Sequence, residues 1–413
     1  MIRIVVCAGL LVLLSACASV VESTKTAGKS LEKSVIDMMT YDGEDETRPP
    51  RALEDIVPEL LLDPVWQGDF TEGHGNNFLK LEMTEADGFL YVADHEGVIV
   101  SIERETGEKV WEVETKLPIS GGIGVSDNAL FVGTTDAEIV ALKLEDGDTL
   151  WTQHVSSEVL SIPRYSDNTV IARTVDGAVT ALDAENGEEK WSFVRDVPAL
   201  SLRGTSSPVL KSGGVITGYA NGNLVVLRLT DGMQIWESSI AVPRGRGALD
   251  RMVDVDADPY AGDRFVFAAT FNGGLVATDV RSGEISWRRS EISSFKRMAA
   301  DWTALFVIDV NNHIWSADQT TGAVNWQQDL LENRQLTDLV LEGEYLFTAD
   351  YEGYLHVLSS VDGRLIGRVK VSDKPIVSAP IVKDEFVYLQ DSEGEITALQ
   401  FTSITAAETD IDE

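Results

Sequence analysis

Three alternating aspartates, Asp254, Asp256 and Asp258, are the residues whose spacing comes closest to that of a metal site, the start of a calcium-binding loop. The pattern then fails, because Pro259 replaces the required glycine and Phe265 the bidentate glutamate. The five histidines show no close ligand spacing, and the sequence has neither a Gly-x-Ser-x-Gly nucleophile elbow nor a phosphate loop. From these patterns we predict no metal site, no cofactor and no catalytic residue.

The chemistry that the sequence does predict is acylation of Cys17. An apolar run from Ile4 to Leu14 has the length of a signal-peptide core. It ends in Leu14-Ser15-Ala16-Cys17, which resembles the lipobox of bacterial lipoproteins, where cleavage leaves the cysteine as a lipidated first residue. The alternative is an ordinary cleaved signal. The other cysteine, Cys7, lies in the removed segment, so the mature chain has no disulfide.

Charge and composition divide the chain into four predicted parts. Residues 1–16 form the signal peptide, 17–55 a lipidated tether, 56–403 the folded domain and 404–413 an acidic tail. Loss of Arg3 takes the net charge from −35 to −36, and a polyanion of this size repels nucleic acid. In lipoprotein sorting an aspartate after the cysteine favours inner-membrane retention, so Ala18 indicates the outer membrane, with the domain facing the periplasm.

The folded domain repeats about every forty residues. In seven units a first turn is followed ten residues later by a second, glycine-containing turn, and in six a tryptophan follows after four more residues. This period predicts a radial all-β architecture in which each unit is a four-stranded antiparallel sheet. The tryptophans are Trp111, Trp151, Trp191, Trp236, Trp287 and Trp326, and Gly367 takes their place in the seventh unit.

Strands from the two ends of the folded domain are predicted to complete one blade. The first turn occurs eight times, but the last unit has no outer strand, whereas Asp63-Pro64-Val65-Trp66 reads as an outer strand without a preceding unit. Pairing them predicts an eight-bladed β-propeller of four-stranded antiparallel blades, closed by the N-terminal strand around Trp66 and free of open sheet edges. The first turns are at Gly97, Ala137, Gly177, Gly222, Gly273, Asn312, Gly353 and Gly394.

The recurring tryptophans favour a structural role over a ligand platform. A residue that occurs once per blade, as Trp66 and its six counterparts do, is expected to wedge between adjacent blades, with its indole N–H free to find a partner.

Function is expected where the repeat is interrupted. The intervals between first turns are 40, 40, 45, 51, 39, 41 and 41 residues, so two consecutive connections are expanded. Both lead from the outer strand of one blade to the inner strand of the next, which puts them on the face of the first turns. They bring together Leu200, Leu202, Arg203, Arg251, Asp254 and Asp256.

Apolar anchors ringed by both signs of charge are typical of a protein-binding patch. The alternative is that Arg203 pairs with Asp254 or Asp256 and only joins two blades. The two interpretations are compatible, since an internal ion pair can preorganise a patch.

The lipobox, the Gly-x-x-x-Trp repeats, Leu200-Ser201-Leu202-Arg203-Gly204, and Asp250-Arg251 with Asp254-Val255-Asp256 together resemble the BamB family, from about Asp63 to Thr402. The resemblance implies a non-enzymatic scaffold of the BAM complex that binds a POTRA domain of BamA and assists insertion of outer-membrane β-barrel proteins, which could themselves be partners. It also implies BamA contacts at Leu200, Leu202, Arg203, Asp254 and Asp256. The long tether and high negative charge depart from the family.

Two other functions are weighed. Quinoprotein alcohol dehydrogenases share the tryptophan-marked propeller, but they hold pyrroloquinoline quinone and calcium at the ring centre, usually beside a vicinal cysteine pair that this mature chain lacks. A propeller that binds a saccharide or cell-wall component is the second alternative.

Overall fold

The computed structural model describes residues 48–75, 79–198, 201, 206–243 and 251–404. Within these ranges the chain forms 33 strands and no α-helix, so no helix there is long and apolar enough to cross a membrane. The strands make eight sheets that contain four antiparallel strands each, one of which carries an additional short strand. The prediction of an eight-bladed propeller is confirmed.

Each blade is given from its innermost to its outermost strand. Blade 1 contains β3 (Thr84–Ala86), β4 (Phe89–Ala93), β5 (Val98–Glu103) and β6 (Lys109–Glu114); blade 2 contains β7 (Ile119–Val125), β8 (Ala129–Thr134), β9 (Glu138–Lys143) and β10 (Thr149–His154). Blade 3 contains β11 (Arg164–Ser166), β12 (Thr169–Arg173), β13 (Ala178–Asp183) and β14 (Glu189–Val194); blade 4 contains β15 (Val209–Lys211), β16 (Gly214–Gly218), β17 (Asn223–Arg228) and β18 (Gln234–Ser239).

The second half of the ring repeats the same order. Blade 5 contains β19 (Tyr260–Ala261), β20 (Phe265–Thr270), β21 (Gly274–Asp279) and β22 (Ile285–Arg289); blade 6 contains β23 (Ala299–Ala300), β24 (Ala304–Ile308), β25 (Ile314–Asp318) and β26 (Val324–Gln328). Blade 7 contains β27 (Val340–Glu342), β28 (Tyr345–Ala349), β29 (Tyr354–Ser359) and β30 (Leu365–Lys370); blade 8 contains β31 (Ile381–Lys383), β32 (Phe386–Gln390), β33 (Glu395–Ser403) and β1 (Leu60–Asp69).

Ring closure joins the two ends of the chain within blade 8. Strand β1 pairs antiparallel with β33 from Leu60↔Ser403 to Asp69↔Glu395, and Trp66 lies opposite Ala398. The predicted closing strand is therefore confirmed, and pairing it along its whole length removes the free sheet edge that would otherwise remain.

The apolar core is divided among the seams between blades. Eight clusters of buried side chains each combine residues from two adjacent blades, including the cluster between blades 8 and 1. The second and third strands are buried on both faces, as in Phe131 and Val140, whereas the outer strands alternate. Each blade therefore depends on both neighbours for burial of its apolar faces.

Seven tryptophans form the same contact at seven seams. The indole Nε1 of Trp191 donates a hydrogen bond of 2.8 Å to the carbonyl of Leu229, three residues before Gly232 in the second turn of the next blade. A Cβ atom built on Gly232 would lie 2.6 Å from Cε3 of the same indole. The equivalent bonds, of 2.9 to 3.1 Å, are made by Trp66, Trp111, Trp151, Trp236, Trp287 and Trp326.

The eighth seam explains why Gly367 stands where the repeat has tryptophan. Blade 8 takes its outer strand from the N-terminal part of the chain, so it has no second turn for an indole to contact. Instead the Glu59 N–H donates to the Ile366 carbonyl at 2.8 Å, and a Cβ on Gly367 would lie 3.6 Å from Cβ of Leu60. The chain that precedes β1 occupies this seam.

Two details differ from the sequence-based expectation. The first turn of blade 5 was expected at Gly273, but the positive φ, +81°, belongs to Gly274, because β20 extends to Thr270 and pairs there with Gly274. The chain before residue 56 also contacts the ring. Arg51 donates its N–H to the Glu332 carbonyl at 3.0 Å, and Leu53 packs between blades 6 and 7.

The tryptophan–glycine contact can be tested within blade 4. Gly213 and Gly232 both have positive φ, +74° and +68°, but a Cβ on Gly213 meets nothing within 4 Å. We expect Gly213→Ala to cost about 1 kcal/mol from backbone strain alone. Gly232→Ala should cost about 1–3 kcal/mol more, because the added methyl group overpacks against Trp191. Urea unfolding of both variants measures the difference, and equal midpoints would show that the contact contributes nothing to stability.

Candidate functional site

The described parts of the two expanded connections lie on one face of the ring. We call it the first-turn face because it carries the turns between second and third strands. Leu200, Leu202 and Arg203 lie outside the described residues, as does Cys17. The described parts that flank them are Ser206 to Pro208, which leads into β15, and Arg251 to Pro259, which leads into β19.

Asp254 and Asp256 are buried, whereas residues that contact a partner directly are expected to be exposed. Their exposed fractions are 1% and 7%. The Asp254 carbonyl accepts from the Phe271 N–H at 3.4 Å, and Val255 between them packs on Gly218 and donates its N–H to the Tyr219 carbonyl at 3.3 Å. This segment is inserted between blades 4 and 5, so its carboxylates can shape the connection but present almost no surface to a partner.

A buried polar cluster lies beneath this part of the first-turn face, formed by Arg173, Ser206, Tyr219 and Asp256. Arg173 Nη1 donates to the Ser206 carbonyl at 2.8 Å, and its guanidinium lies 5.7 Å from the centre of the Tyr219 ring. Burial raises the pKa of Asp256 to about 6, although Arg173 and Lys80 act to lower it. Burial likewise raises the pKa of Tyr219 to about 12.

Several polar atoms of this cluster make no hydrogen bond to another described group: Arg173 Nε, Ser206 Oγ, Tyr219 Oη and Asp256 Oδ2. Buried donors and acceptors without partners cost free energy.

A second group of charges crosses the ring centre. Lys80 Nζ lies 2.7 Å from Asp258 Oδ1, which also accepts from the Ser207 N–H at 2.6 Å. Arg297 Nη1 lies 3.0 Å from Glu82 Oε2. These pairs join the chain before blade 1 to blades 5 and 6, and we call them the axial ion pairs.

The segment that supplies Lys80 and Glu82 is itself held by strand pairing. The short strand β2 (Lys80–Leu81) pairs in parallel with β7 of blade 2, and the Glu82 N–H donates to the Gly122 carbonyl at 2.8 Å. Burial works to raise the pKa of Asp258, but Lys80, Arg164 and Arg297 hold it below its usual range. Sequence reasoning missed the axial ion pairs because their partners are 178 and 215 residues apart.

The acidic side chains at the ring centre are paired with cations. Among the described residues no group of three or more histidine, cysteine, aspartate or glutamate side chains is placed to hold a metal ion. Asp258 is paired with the cations Lys80 and Arg164, and Asp256 lies within the electrostatic influence of Arg173 and Lys80. The ring centre, where the quinoprotein alternative needs quinone and calcium, is crossed by the axial ion pairs.

The profile of the family described as "Outer membrane protein assembly factor BamB" matches residues 95–328 and 318–406. The chain belongs to the BamB family. The BamB protein of Alkalilimnicola ehrlichii is 46% identical over 84% of this chain and 91% of its own length. The BamB protein of Escherichia coli is 32% identical over 87% of this chain and 94% of its own length. These relatives are named as assembly factors and not as enzymes.

Solved structures agree in fold. The crystal structure of BamB from Moraxella catarrhalis superposes with a TM-score of 0.74 at 24% identity and covers 82% of this chain and all of that one. Quinohemoprotein alcohol dehydrogenase from Comamonas testosteroni reaches a TM-score of 0.67 at 13% identity, covering 82% of this chain and 76% of that one. The propeller is thus shared with an enzyme, and only the sequence relationship separates the BamB family from it.

The burial of Asp256 predicts a stability effect that depends on pH. Its pKa in the folded protein, about 6, lies above the ordinary value of 3.8, so between these pH values the folded state binds more protons than the unfolded state. Stability therefore falls as pH rises through this window. Asp256→Asn should raise the free energy of unfolding at pH 7.5, by at most about 3 kcal/mol, and should have little effect at pH 4.

Asp258→Asn is the matched control, two residues along the chain. Its pKa is lowered by its cations, so the charged form stabilises the fold, and this variant should destabilise the protein at pH 7.5. Chemical unfolding of both variants at the two pH values measures these effects. A loss of stability in Asp256→Asn at pH 7.5 would mean that attraction to Arg173 outweighs the cost of burying the carboxylate.

Proposed function

We propose that this protein is a non-enzymatic, lipid-anchored scaffold of the BAM complex that binds a POTRA domain of BamA and assists insertion of outer-membrane β-barrel proteins. The observation that carries the proposal is similarity to BamB assembly factors over more than four fifths of the chain. The binding surface is the pair of expanded connections on the first-turn face, with Leu200, Leu202 and Arg203 as its direct contacts.

Asp254 and Asp256 act in this proposal as positioning residues. Their burial leaves them unable to form a broad contact with a partner, but they lie in the segment wedged between blades 4 and 5. A connection that is seated this way offers its apolar residues in fewer conformations, which lowers the ordering cost of binding. The arrangement supports a patch in which Leu202 and Arg203 provide the energy and the aspartates hold the loops in place.

The anchor at Cys17 is compatible with a partner on this face. Arg51 bonds to Glu332 in the connection between blades 6 and 7, and Arg334 Nη1 donates to the Arg51 carbonyl at 3.0 Å. Connections between blades lie on the first-turn face, so the chain that follows the tether meets the ring there. A lipidated Cys17 would then hold the protein at the inner leaflet of the outer membrane, facing the periplasm.

The proposed contact predicts a specific loss of binding. Leu202→Ala combined with Arg203→Ala should reduce co-purification of BamA at least tenfold, because an apolar anchor and its flanking charge are both removed. The matched control is Val361→Ala with Arg364→Ala, an exposed apolar and arginine pair in the second turn of blade 7. Pull-down from detergent-solubilised envelopes compares the two. Full BamA recovery with the first double variant, at unchanged melting temperature, would refute the patch assignment.

The anchor has its own test. Cys17→Ser should release the protein from the membrane into the periplasmic fraction, because lipidation requires the thiol. Cys7→Ser is the matched control and should leave membrane association intact, since that residue lies in the segment to be removed. Fractionation with metabolic palmitate labelling provides the readout, and a Cys17→Ser protein that keeps both the label and the membrane location would contradict the lipobox assignment.

A further inference from the structure

A well runs along the ring axis beyond the axial ion pairs. It consists of two adjoining cavities of about 420 and 290 Å³, and both are lined by Arg164 and Arg297. Their walls are the inner strands, which continue to Lys211 and Lys383 at the turns between the first and second strands. The well is therefore on the side of the ring opposite the first-turn face, and the axial ion pairs form its floor.

The larger cavity is lined by several cations although the chain carries a net charge of −35. Its lining contains three cations, Arg164, Lys211 and Arg297, and one carboxylate, Asp258. Asp258 is paired with Lys80 and accepts a hydrogen bond from the Ser207 N–H, and these two contacts belong to the floor of the well. Arg297 is paired with Glu82 and Asp338, and Lys211 with the exposed Asp263. Arg164 is therefore the lining cation with the weakest internal compensation among the described residues, since its ion pair to Asp258 is 3.6 Å long.

The guanidinium of Arg164 has N–H donors that bond to no other described group. In the described part of the chain its single ion pair is to Asp258 Oδ2 at 3.6 Å, longer than a hydrogen bond, and its guanidinium makes no hydrogen bond there. About a third of its side chain is exposed, and it lines both cavities. A guanidinium in this state offers a planar fork of donors that matches a carboxylate or phosphate.

The remaining lining suits the same ligand class. Lys211 is paired with Asp263, whose side chain is 93% exposed, so solvent screens that pair and the ammonium can also serve a ligand. Tyr165 and Tyr260 add phenolic groups to the wall. A volume of about 420 Å³ is within the range of small-molecule sites, roughly 300–1,000 Å³.

We infer that this axial well binds a small organic oxyanion, a carboxylate or phosphate, with Arg164 and Lys211 as its principal contacts. The site is on the face away from the proposed BamA contact, so both can be occupied together. Two sources of the oxyanion are open. One is a free small anion, and the other is the chain itself, because β33 ends at Ser403 on the side where the well opens and residues 405–413 carry Glu408, Asp410, Asp412 and Glu413.

Isothermal titration calorimetry of the mature protein at low salt tests the inference, with citrate and pyrophosphate as anionic probes and glycerol as the neutral one. Saturable binding of an anion, weakened at high salt, is expected. Arg164→Gln and Lys211→Gln should each lower the affinity about tenfold, because each removes a charge-assisted hydrogen bond. The controls Arg228→Gln and Lys109→Gln remove the same charges from exposed ion pairs outside the well and should leave the affinity unchanged.

A chain ending at Ile404 distinguishes the two sources. If truncation tightens the binding of citrate or pyrophosphate, the chain's own carboxylates occupy the well in the full chain. If binding is unchanged, the ligand is a free anion. Melting curves of Arg164→Gln and Lys211→Gln confirm that the variants fold. Absence of saturable anion binding in both the full and the truncated chain would overturn the inference, as would equal affinity in Arg164→Gln, Lys211→Gln and their controls.

Discussion

The ring depends on one contact that is repeated at seven seams, in which the indole of one blade lies on the glycine turn of the next and donates to a carbonyl three residues before that glycine. This contact combines apolar burial with a satisfied hydrogen bond, and it requires that the turn residue lack a Cβ atom. Because no blade buries its faces alone, the seams set the stability of the whole ring. The eighth seam lacks this contact, because Gly367 lies against the N-terminal segment at the position where the other seams have a glycine turn.

The centre of the ring follows a different principle. Lys80, Glu82, Asp258 and Arg297 join distant blades through charged pairs, and buried pairs of this kind repay their desolvation only when geometry and additional hydrogen bonds are good. Asp258 meets that condition with two donors at its Oδ1 atom. Asp256, two residues before it, does not meet that condition, because its Oδ2 atom makes no hydrogen bond to another described group. Burial accordingly raises its pKa. The same chain segment thus contains one carboxylate with two hydrogen-bond donors and a lowered pKa, and one whose pKa is raised by burial.

The spacing of residues in the sequence predicted the repeated blades well, but it predicted the structure of the connections between blades incompletely. The glycine and tryptophan intervals were sufficient for the number of blades, their four strands and the closing strand around Trp66, because the repeat has a fixed period and each position has one structural task. For the connections, the spacing identified where residues were added but not which side chains face solvent. Asp254 and Asp256 looked like members of a charged surface patch, yet the segment folds inward between blades 4 and 5, which no local pattern signals.

By itself, the sequence determined the propeller, its seams, the predicted lipid anchor and membership in the BamB family, since all of these are carried by residue types at fixed positions along the chain. Tertiary structure alone decided the axial ion pairs, the burial of the two aspartates and the axial well lined by Arg164. These features depend on residues that are distant in sequence, such as Lys80 and Asp258, which meet only after the ring has closed. Electrostatics acts through space, so its outcome follows from the closed fold and not from the order of residues.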